Sequence, residues 1–322
     1  MPIGLGISGG AHEKAWVVRM KPYDTIIIGA GIAGLTAAIY AARKRMRFEI
    51  ISPDFGGQML VNGEIHNYPG LAKITGYEFR SMMEQQMESN GVKVRQETVK
   101  GIERLSDGFS VKTDKGTYSA RTVIIATGSH PGKLGVPGED RLRNRGVTYC
   151  TVCDGPLFSG MEVAIIGGGN SAMEAVGFLK DIASKIHLVV RGPALKGHEY
   201  LREKVEGNPK VDIMLNARTT EILGDGLVTG IKYIGEGGEK VLAVRGVIIE
   251  AGRTPNTEPF RWLLELDESG HIKIDCQCRT SVPGIFAAGD CASGQEYQYI
   301  ISAGQGCMAL LKAAKHLSSL KS

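Results

Sequence analysis

The chain contains no long hydrophobic run and no strong excess of charge. No stretch of its 322 residues approaches the ~20 consecutive apolar residues that a membrane-spanning helix needs. The formal net charge is only +4 and the basic residues form no run, so we expect neither a membrane nor a nucleic acid as partner. Residues 1–19 lack the apolar core and the small-residue cleavage site of a signal peptide. We interpret them as an N-terminal extension or as the result of a mis-assigned start.

Cysteine is also scarce. The chain has six cysteines and no recognisable export signal, so we expect a cytoplasmic protein whose thiols are kept reduced. In such a compartment a close cysteine pair is more often catalytic or metal-binding than a structural disulfide. Two close pairs are present, Cys150 with Cys153 and Cys276 with Cys278.

Glycine, in contrast, is abundant. The 44 glycines are roughly twice the number expected from average usage, and they cluster after apolar segments. A chain of this length is long for one domain and sufficient for two. The composition therefore favours an α/β nucleotide-binding protein.

The first glycine-rich loop has the sequence GAGIAG at residues 29–34. Residues 24–29 predict a buried parallel strand before it, and residues 35–43 predict a helix after it. In this context the glycines let a dinucleotide pyrophosphate approach the backbone at the helix N-terminus. The next predicted strand, 48–51, ends without the usual acidic residue for a ribose, and Asp54 is the nearest substitute. The alternative is a glycine-rich turn that binds no ligand.

Two further strand ends indicate that the ligand of the first loop is a flavin. Residues 121–128 predict a strand that runs into ATG, and residues 284–290 predict a strand that ends in GD. Asp290 at that place can accept a hydrogen bond from a ribityl hydroxyl. Each short motif is weak alone, whereas the ordered set predicts bound FAD.

A second loop of the same type, GGGNSA, occupies residues 167–172. The flanking segments predict one strand before the loop, then a helix and another strand after it, at residues 161–166, 173–182 and 185–190. The last of these strands is followed by Arg191 and Lys196. Cations there favour the 2′-phosphate of NADPH, whereas an acid would favour NADH. The alternative for Arg191 is a solvated strand end.

Between the two loops lies the sequence CTVCD at residues 150–154. The spacing lets Cys150 and Cys153 form a reversible disulfide, and the thiolate of such a pair attacks another disulfide through a mixed disulfide. Asp154 can carry the proton that disulfide opening requires. The alternative for Asp154 is a turn residue, because Asp-Gly-Pro is also ordinary turn chemistry.

Zinc binding is the alternative for the cysteine pairs, because four thiolates can hold a zinc ion. Cys276 and Cys278 lie far along the chain from the first pair, in a segment that predicts a polar turn. We therefore expect no metal site. Cys291 and Cys307 are expected to pack at a strand end and in a helix.

The whole pattern resembles the low-molecular-weight thioredoxin reductase family, especially archaeal or clostridial members with a degenerate NADPH motif. The resemblance runs from residue 20 to the C-terminus. The motifs occur in the family order: GAGIAG at 29–34, GGQ at 56–58, NYPG at 67–70, ATG at 126–128, CTVCD at 150–154, GGGNSA at 167–172, TPNT at 254–257 and TSVPGIFAAGD at 280–290.

The resemblance implies an α/β fold with two Rossmann-like nucleotide-binding domains of three ββα layers, the second inserted in the first. The FAD-binding domain would comprise residues 20–133 and 255–322, and the pyridine-nucleotide-like domain with the cysteine pair residues 134–254. It also implies a homodimer whose subunits each bind FAD. The inserted domain would rotate, since the thiols must meet the flavin in one state and a protein substrate in another.

The resemblance also assigns roles to single residues. Cys153 would face the flavin, Cys150 would attack the disulfide of the partner protein, and Asp154 would be the acid/base. The expected FAD-binding residues are Gly29, Gly31, Ile32, Ala33, Gly34, Gly57, Gln58, Asn67, Ala126, Thr127, Gly128, Gly289, Asp290 and Gln298. The expected residues of the second nucleotide site are Gly167, Gly169, Asn170, Ser171, Ala172, Arg191 and Lys196.

Two segments depart from the family pattern. The family's NADPH motif, His-Arg-Arg-X-X-X-Arg, is reduced here to Val190, Arg191 and Gly192, with Lys196 at the last position. Near the C-terminus, Tyr297 replaces an arginine that the family carries on the helix facing the flavin. Both changes remove cations from the path of the reductant. The two changes put NADPH in doubt as electron donor, and the resemblance to archaeal and clostridial members implies reduced deazaflavin or reduced ferredoxin as alternatives to it.

These observations predict an FAD-dependent thioredoxin-disulfide reductase whose protein substrate is thioredoxin or a glutaredoxin-like protein. One alternative is a reductase of another small dithiol protein or of a peroxidase partner. A ferredoxin–NADP reductase of the same fold would lack the thiol pair. A non-enzymatic nucleotide-sensing or zinc-binding protein is the remaining alternative.

Overall fold

The computed structural model describes residues 21–60, 64–65, 67–294 and 296–320, except for the side chains of Leu60 and Glu64. The expected N-terminal extension, residues 1–19, lies outside the described residues. The strands are Tyr23–Ile28 (β1), Phe48–Ser52 (β2), Glu64–Ile65 (β3), Ile74–Thr75 (β4), Val94–Gln96 (β5), Val99–Leu105 (β6), Gly108–Thr113 (β7), Thr117–Ile125 (β8), Ser129–Pro131 (β9), Val147–Thr148 (β10), Glu162–Ile166 (β11), Lys185–Val189 (β12), Val211–Met214 (β13), Arg218–Leu223 (β14), Gly230–Gly235 (β15), Gly238–Leu242 (β16), Gly246–Ile249 (β17), Arg253–Pro255 (β18) and Ile285–Ala287 (β19).

The helices connect and cover these strands. The α-helices are Ile32–Arg43 (α1), Gly76–Ser89 (α2), Thr151–Asp154 (α3), Asn170–Leu179 (α4), Glu199–Glu206 (α5) and Tyr299–Ser319 (α6). Short 3₁₀ helices span Gly57–Leu60, Gly155–Phe158 and Glu258–Phe260.

The first sheet has the strand order β5-β2-β1-β8-β7-β6, and β19 also pairs with β8. Strands β5, β2, β1, β8 and β19 are parallel, whereas β6, β7 and β8 form an antiparallel meander. The continuous apolar sequence of β1 fits its burial on both faces. Ile27 packs with α1 and α6 on one face, and Ile26 and Ile28 pack with Phe109 and Phe260 on the other.

The second sheet consists of the parallel strands β10-β17-β11-β12-β13. On one face, α4 and α5 pack against Ile165 and Ile186. On the other face, the antiparallel sheet β14-β15-β16 packs Ile222 and Ile231 against Val247. The order of layers is thus antiparallel sheet, parallel sheet and helices, and the predicted α/β class is confirmed.

The two parallel sheets repeat one structural unit. The unit β1–α1–β2 of the first sheet corresponds to β11–α4–β12 of the second. Strand β8 pairs with β1 as β17 pairs with β11. Each sheet therefore presents a glycine-rich loop beside the carboxyl end of a neighbouring strand, where parallel sheets bind nucleotides.

The chain passes between the two sheets at the antiparallel ladder of β9 and β18. Strands of the first sheet come from residues 23–125 and 285–287, and strands of the second from residues 147–249. The boundaries at 20–133, 134–254 and 255–322 stay a prediction.

The helices that follow the two loops begin earlier than the sequence predicts. The predicted start of the first helix was residue 35, whereas α1 begins at Ile32 directly after Gly31. The second was predicted at 173–182, whereas α4 spans Asn170–Leu179. The loop is shorter than expected because its last small residue already lies in the first helical turn. A Cβ on Gly34 would lie 1.8 Å from the carbonyl oxygen of Gly29, so glycine there permits this close packing.

Candidate active site

One large cleft of about 2310 Å³ is lined by both glycine-rich loops. Nearly all the residues predicted to bind FAD line it, namely Gly29, Gly31, Ile32, Ala33, Gly57, Gln58, Asn67, Ala126, Thr127, Gly128, Gly289, Asp290 and Gln298. Gly34 does not, because it packs behind the loop against Gly29. The fold thus brings together segments that are widely separated in the sequence.

The first loop has the local geometry of a pyrophosphate cradle. Gly29 has a φ of +106° and lies against Ala126, where a Cβ would come within 2.2 Å of the carbonyl oxygen. At Gly31 a Cβ would meet no described protein atom within 4 Å and would enter the cleft. Gly31 is the N-cap of α1 and, among the described residues, no side chain caps this N-terminus. Backbone N–H groups of the first turn are therefore available to a phosphate, and the loop fits a dinucleotide.

Asp290 is fixed at the end of β19 by two serines. Ser129 Oγ donates to Asp290 Oδ2 at 3.3 Å, and Ser302 Oγ donates to Asp290 Oδ1 at 3.3 Å. Ser129 Oγ in turn accepts a hydrogen bond from Arg253 Nε at 2.8 Å. Each carboxylate oxygen keeps a second lone pair for a ligand hydroxyl.

Polar contacts also join the other predicted flavin residues. Asn67 Nδ2 donates to Gln298 Oε1 at 3.0 Å, and Gln58 Nε2 donates to the carbonyl oxygen of Ser129 at 3.0 Å. Tyr299 Oη donates to the carbonyl oxygen of Gln58 at 2.9 Å. Segments from the start and the end of the chain are thereby linked across one wall of the cleft.

The second loop repeats the geometry of the first. A Cβ on Gly167 would lie 2.3 Å from the carbonyl oxygen of Glu250, and one on Gly169 would meet no described protein atom within 4 Å. The predicted residues that line the cleft here are Gly167, Gly169, Asn170, Ser171, Arg191 and Lys196. Ala172 is fully buried behind the loop and does not line the cleft.

Cationic side chains lie at the far end of the second nucleotide site. Arg191 and Lys196 are exposed and line the cleft, and so does Arg218 at the start of β14. The backbone N–H of Ala217 donates to the carbonyl oxygen of Val190 at 2.9 Å, which fixes Arg218 beside that loop. Sequence reasoning missed Arg218 because it belongs to a different strand and to no motif.

The predicted thiol pair is joined in a disulfide. Cys150 and Cys153 have Cα atoms 5.3 Å apart, and Cys150 is the N-cap residue of α3. The backbone N–H of Cys153 donates to Cys150 Sγ at 3.2 Å. Between them, Thr151 and Val152 line the cleft, whereas both cysteines and Asp154 do not. That Cys153 faces the flavin therefore stays a prediction.

A buried threonine connects Asp154 to the thiol pair. Thr148 Oγ1 donates to Asp154 Oδ2 at 2.5 Å and accepts a hydrogen bond from the backbone N–H of Cys150 at 3.0 Å. The carboxyl group is thus held close to the chain of Cys150. This position is compatible with the predicted proton transfer.

The sequence profile described as pyridine nucleotide-disulphide oxidoreductase matches residues 23–314. The chain belongs to this family. The predicted resemblance is confirmed at the level of this family.

Two curated relatives of this family are similar in sequence. The chain is 38% identical to the NADH dehydrogenase of Bacillus subtilis over 317 residues, which cover 97% of the chain and 62% of that protein. It is 39% identical to a subunit of the alkyl hydroperoxide reductase of Escherichia coli over 325 residues, 98% of the chain and 62% of the relative. The chain therefore matches less than two thirds of these relatives.

Solved family structures match at nearly full length. The thioredoxin reductase of Lactococcus lactis in its FR conformation has a TM-score of 0.88 at 34% identity and covers 92% of this chain and 99% of its own. The thioredoxin reductase of T. acidophilum has 0.85 at 35%, with coverages of 94% and 100%. A ferredoxin-flavin thioredoxin reductase of Clostridium acetobutylicum has 0.51 at 31%, with coverages of 92% and 99%.

A glutamate that sequence reasoning missed lies between the thiol pair and the second loop. Thr151 Oγ1 donates to Glu250 Oε1 at 3.0 Å. The pKa of Glu250 is raised to about 7, chiefly by burial; the Thr151 hydrogen bond and Arg253 oppose this rise, and nearby Glu174 contributes to it. The signal in the sequence was its position after β17, which matches the position of Ala126 after β8.

Tyr297 was expected on the helix that faces the flavin, whereas it lies two residues before the start of α6. Helix α6 begins at Tyr299, and Gln298 is its N-cap residue with extended backbone, φ −133° and ψ 138°. Tyr297 Oη lies 2.7 Å from His271 Nε2. The Arg253 guanidinium carbon lies 6.0 Å from the centroid of the Tyr297 ring. A cation therefore reaches this region from β18.

The remaining cysteines occupy different environments. Cys278 is buried, which raises the pKa of its thiol to about 11, whereas Cys276 is exposed. Cys291 is buried at the end of β19, and Cys307 is half-buried in α6. In the described part of the chain, no three His, Cys, Asp or Glu side chains gather as a metal site. Over the same residues, no helix is both long and apolar enough to cross a bilayer.

Proposed function

We propose that the protein passes electrons from a reductant through bound FAD and the Cys150–Cys153 pair to the disulfide of thioredoxin or a glutaredoxin-like protein. The observation that carries this proposal is the disulfide on α3. The residues between its cysteines, Thr151 and Val152, line the same cleft as both nucleotide loops. A dithiol placed between two nucleotide sites is suited to electron relay.

The residues at the first end of the cleft fit FAD. Gly31 and the N-terminus of α1 would hold the pyrophosphate, and Asp290 would accept a hydrogen bond from a ribityl hydroxyl. When bound, FAD supplies the two electrons that convert the Cys150–Cys153 disulfide to two thiols. The protein supplies the binding and the orientation.

The chain's own residues carry out the thiol exchange. The Cys150 thiolate attacks one sulfur of the partner's disulfide, and the other partner sulfur leaves as a thiolate that takes up a proton. The Cys153 thiolate then attacks Cys150 Sγ, which restores the internal disulfide and releases the second partner sulfur. Asp154, whose carboxylate accepts a hydrogen bond from Thr148, would donate and accept the protons.

The proposed cycle requires two arrangements of the inserted domain. Cys153 is exposed, Cys150 is half-buried and neither lines the cleft, so the proposed flavin-facing role of Cys153 needs an arrangement other than this one. Solved relatives of similar identity and near-complete coverage differ widely in TM-score, 0.88 and 0.85 against 0.51. Such a spread is expected when two domains of one fold occur in different relative orientations.

For the electron donor we propose reduced deazaflavin or reduced ferredoxin in preference to NADPH. The 2′-phosphate of NADPH is best held by a cluster of arginines. The sequence keeps Arg191 and Lys196, and the fold adds Arg218, but Gly192 stands where the family pattern has an arginine. A lost charge-assisted hydrogen bond weakens binding by roughly 1.5–3 kcal/mol, about 10- to 150-fold. The name of the clostridial structure, a ferredoxin-flavin thioredoxin reductase, supports including ferredoxin.

Anaerobic reduction of the bound flavin tests the donor. NADPH, NADH, reduced deazaflavin and reduced ferredoxin are mixed in turn with the FAD-loaded protein in a stopped-flow instrument. We expect rapid bleaching with deazaflavin or ferredoxin and slow bleaching with both nicotinamides. Gly192→Arg is expected to accelerate bleaching by NADPH, because its Cβ has room beside the cations. Rapid bleaching of the unmodified protein by micromolar NADPH would return the protein to the NADPH-dependent class.

A second candidate function is electron supply to a peroxidase. It is favoured by the 39% identity to a subunit of the alkyl hydroperoxide reductase of Escherichia coli, although the chain matches only 62% of that protein. Thioredoxin, a glutaredoxin-like protein and a dithiol peroxidase offered side by side as acceptors distinguish the two functions. Faster turnover with the peroxidase than with thioredoxin or the glutaredoxin-like protein would favour the second function.

A further inference from the structure

The two nucleotide half-sites of the chain differ at one equivalent position. In the first half-site, Gly29 lies against the backbone of Ala126, with 2.2 Å between its virtual Cβ and the Ala126 carbonyl oxygen. In the second, Gly167 lies in the same way against Glu250, at 2.3 Å. A methyl group in the proposed FAD half is thus replaced by a carboxyl group in the other half.

The carboxyl group of Glu250 is held at the cleft. Glu250 lines the cleft together with Gly167 and Gly169, and Thr151 of α3 donates a hydrogen bond to its Oε1. This hydrogen bond restrains the side chain on the side of the thiol pair. An anionic dinucleotide seated on the second loop must therefore enter a space that already contains a carboxyl group.

The neighbouring cations do not fully compensate the negative charge of the Glu250 carboxylate. Arg253 of β18 lowers its pKa, whereas Glu174 of α4 raises it. Glu174 also lines the cleft. Burial raises the pKa of Glu174, whereas His198, the residue before α5, lowers it. On α3 the charged group is Asp154, which is hydrogen-bonded to Thr148. Glu250 therefore has one cation, Arg253, and one further carboxyl group, Glu174, among its electrostatic neighbours, and the guanidinium of Arg253 also donates hydrogen bonds to Ser129.

We propose that Glu250 is a specificity-determining residue of the second site, which excludes anionic dinucleotides while it is a carboxylate and admits them after it binds a proton. The proposal rests on the proposed function in one respect, that the second loop is a dinucleotide site. It deepens the donor assignment, because it gives a physical cause for weak use of nicotinamide donors. The repulsion acts in a partly buried site, where charges are poorly screened.

The proposal fixes the direction and size of a pH effect. If only the protonated form admits the ligand, the apparent affinity is reduced by the protonated fraction. With a pKa of about 7, this fraction is nearly complete at pH 6 and falls roughly tenfold by pH 8. Binding is therefore present below the pKa and lost as the pH rises through it.

Isothermal titration calorimetry of the FAD-loaded protein with NADP⁺ tests the expected pH dependence of binding. The oxidised nucleotide is used because it binds without reducing the flavin. Glu250→Gln removes the charge, and its amide oxygen can still accept the hydrogen bond from Thr151. We expect Glu250→Gln to bind NADP⁺ roughly tenfold more tightly than the unmodified protein at pH 8 and about equally at pH 6. Glu206→Gln, the same charge change at an exposed end of α5, is expected to bind like the unmodified protein at both pH values.

The ratio of the NADP⁺ affinities of Glu250→Gln and the unmodified protein reports the charge of Glu250 and not that of its neighbours. Protonation of His198 or Glu174 changes the NADP⁺ affinity of both proteins together and leaves this ratio unaltered. Equal affinities of the two proteins at pH 8, or no NADP⁺ binding by either at pH 6, would overturn the proposal. Reduction of thioredoxin by the photoreduced protein is measured in parallel. This assay tests the dithiol relay without a nucleotide, so failure of the Glu250 proposal is distinguished from failure of the proposed function.

Discussion

Glycines 31 and 169 have the same local geometry in the two half-sites. Gly31 has φ −77° and Gly169 has φ −98°, values that any residue adopts. At both positions a Cβ would meet no described protein atom within 4 Å. The protein fold would therefore tolerate a side chain at these two positions, whereas a ligand bound in the cleft would not. Substitution at these residues therefore separates binding from folding.

We expect Gly31→Val to fold normally and to lose FAD, because the side chain would occupy the pyrophosphate cradle. A loss of affinity on the order of tenfold or more is expected. The flavin absorbance of the purified protein and its thermal unfolding measure the two effects. Gly169→Val is the matched control, since it changes the second loop and should keep the FAD. A fully flavin-loaded Gly31→Val protein would contradict the assignment of the first loop.

Cys150→Ser and Cys153→Ser are each expected to abolish reduction of the protein disulfide and to leave FAD bound. The thiol exchange needs both sulfurs, whereas the proposed flavin contacts come from other segments. Insulin-coupled thioredoxin reduction and the flavin content are the measurements. Cys276→Ser, an exposed cysteine outside the pair, is the control and should keep full activity. Full activity of either variant of the pair would show that another group carries the electrons.

At the scale of elements, the first loop is supported by the contact between α1 and α6. A Cβ on Gly306 of α6 would lie 2.0 Å from the carbonyl oxygen of Ala33 in α1. Ala33 itself lines the cleft. The position of the loop therefore depends on how closely a helix from the C-terminal segment approaches it.

Gly306→Ala is expected to push the two helices apart and to destabilise the protein by about 1–3 kcal/mol. FAD content should fall with it, because Ala33 moves. Gly304→Ala is the matched control on α6, where a Cβ would meet no described atom within 4 Å. It is expected to stabilise the helix by roughly 0.5–1 kcal/mol. Denaturant unfolding of both variants checks the contrast, and equal stabilities would mean that the helix contact is not tight.

At the scale of the whole molecule, one long cleft serves two sheets. The proposed FAD end and the second nucleotide end are joined by the residues of α3 and of the β9–β18 ladder. One group of exposed apolar side chains lies on the first sheet's helices, away from the cleft. They include Tyr40 of α1 and Ile300, Met308 and Leu311 of α6. This surface is suited to the predicted homodimer, which stays a prediction.

Leu311→Glu is expected to shift the predicted dimer toward monomer, because it would bury a charge in an apolar contact. Light scattering coupled to size-exclusion chromatography measures the mass. Leu227→Glu is the control, an exposed leucine in a turn of the other sheet's region. A protein that is monomeric before substitution would contradict the homodimer, and an unchanged dimer would move its interface to another surface.

The sequence by itself determined the elements that local chemistry specifies. Apolar runs such as residues 24–29 and 161–166 predicted buried strands, and the glycine spacing predicted the two loops, because both depend on neighbouring residues alone. The thiol pair was likewise predicted from Cys150 and Cys153, since two residues between cysteines suffice to bring the sulfurs together.

Only the tertiary structure decided which distant residues share the cleft. Arg218 lies beside Arg191 because the neighbouring Ala217 donates a backbone hydrogen bond to Val190. Arg253 of β18 lies over the ring of Tyr297, a residue more than 40 positions away in the sequence. Glu250 acquired its raised pKa from burial beside α4, which no local pattern encodes. The charge of the second site is a sum over side chains from separate strands and helices. It therefore depends on the packing of the fold and could not be read from any one motif.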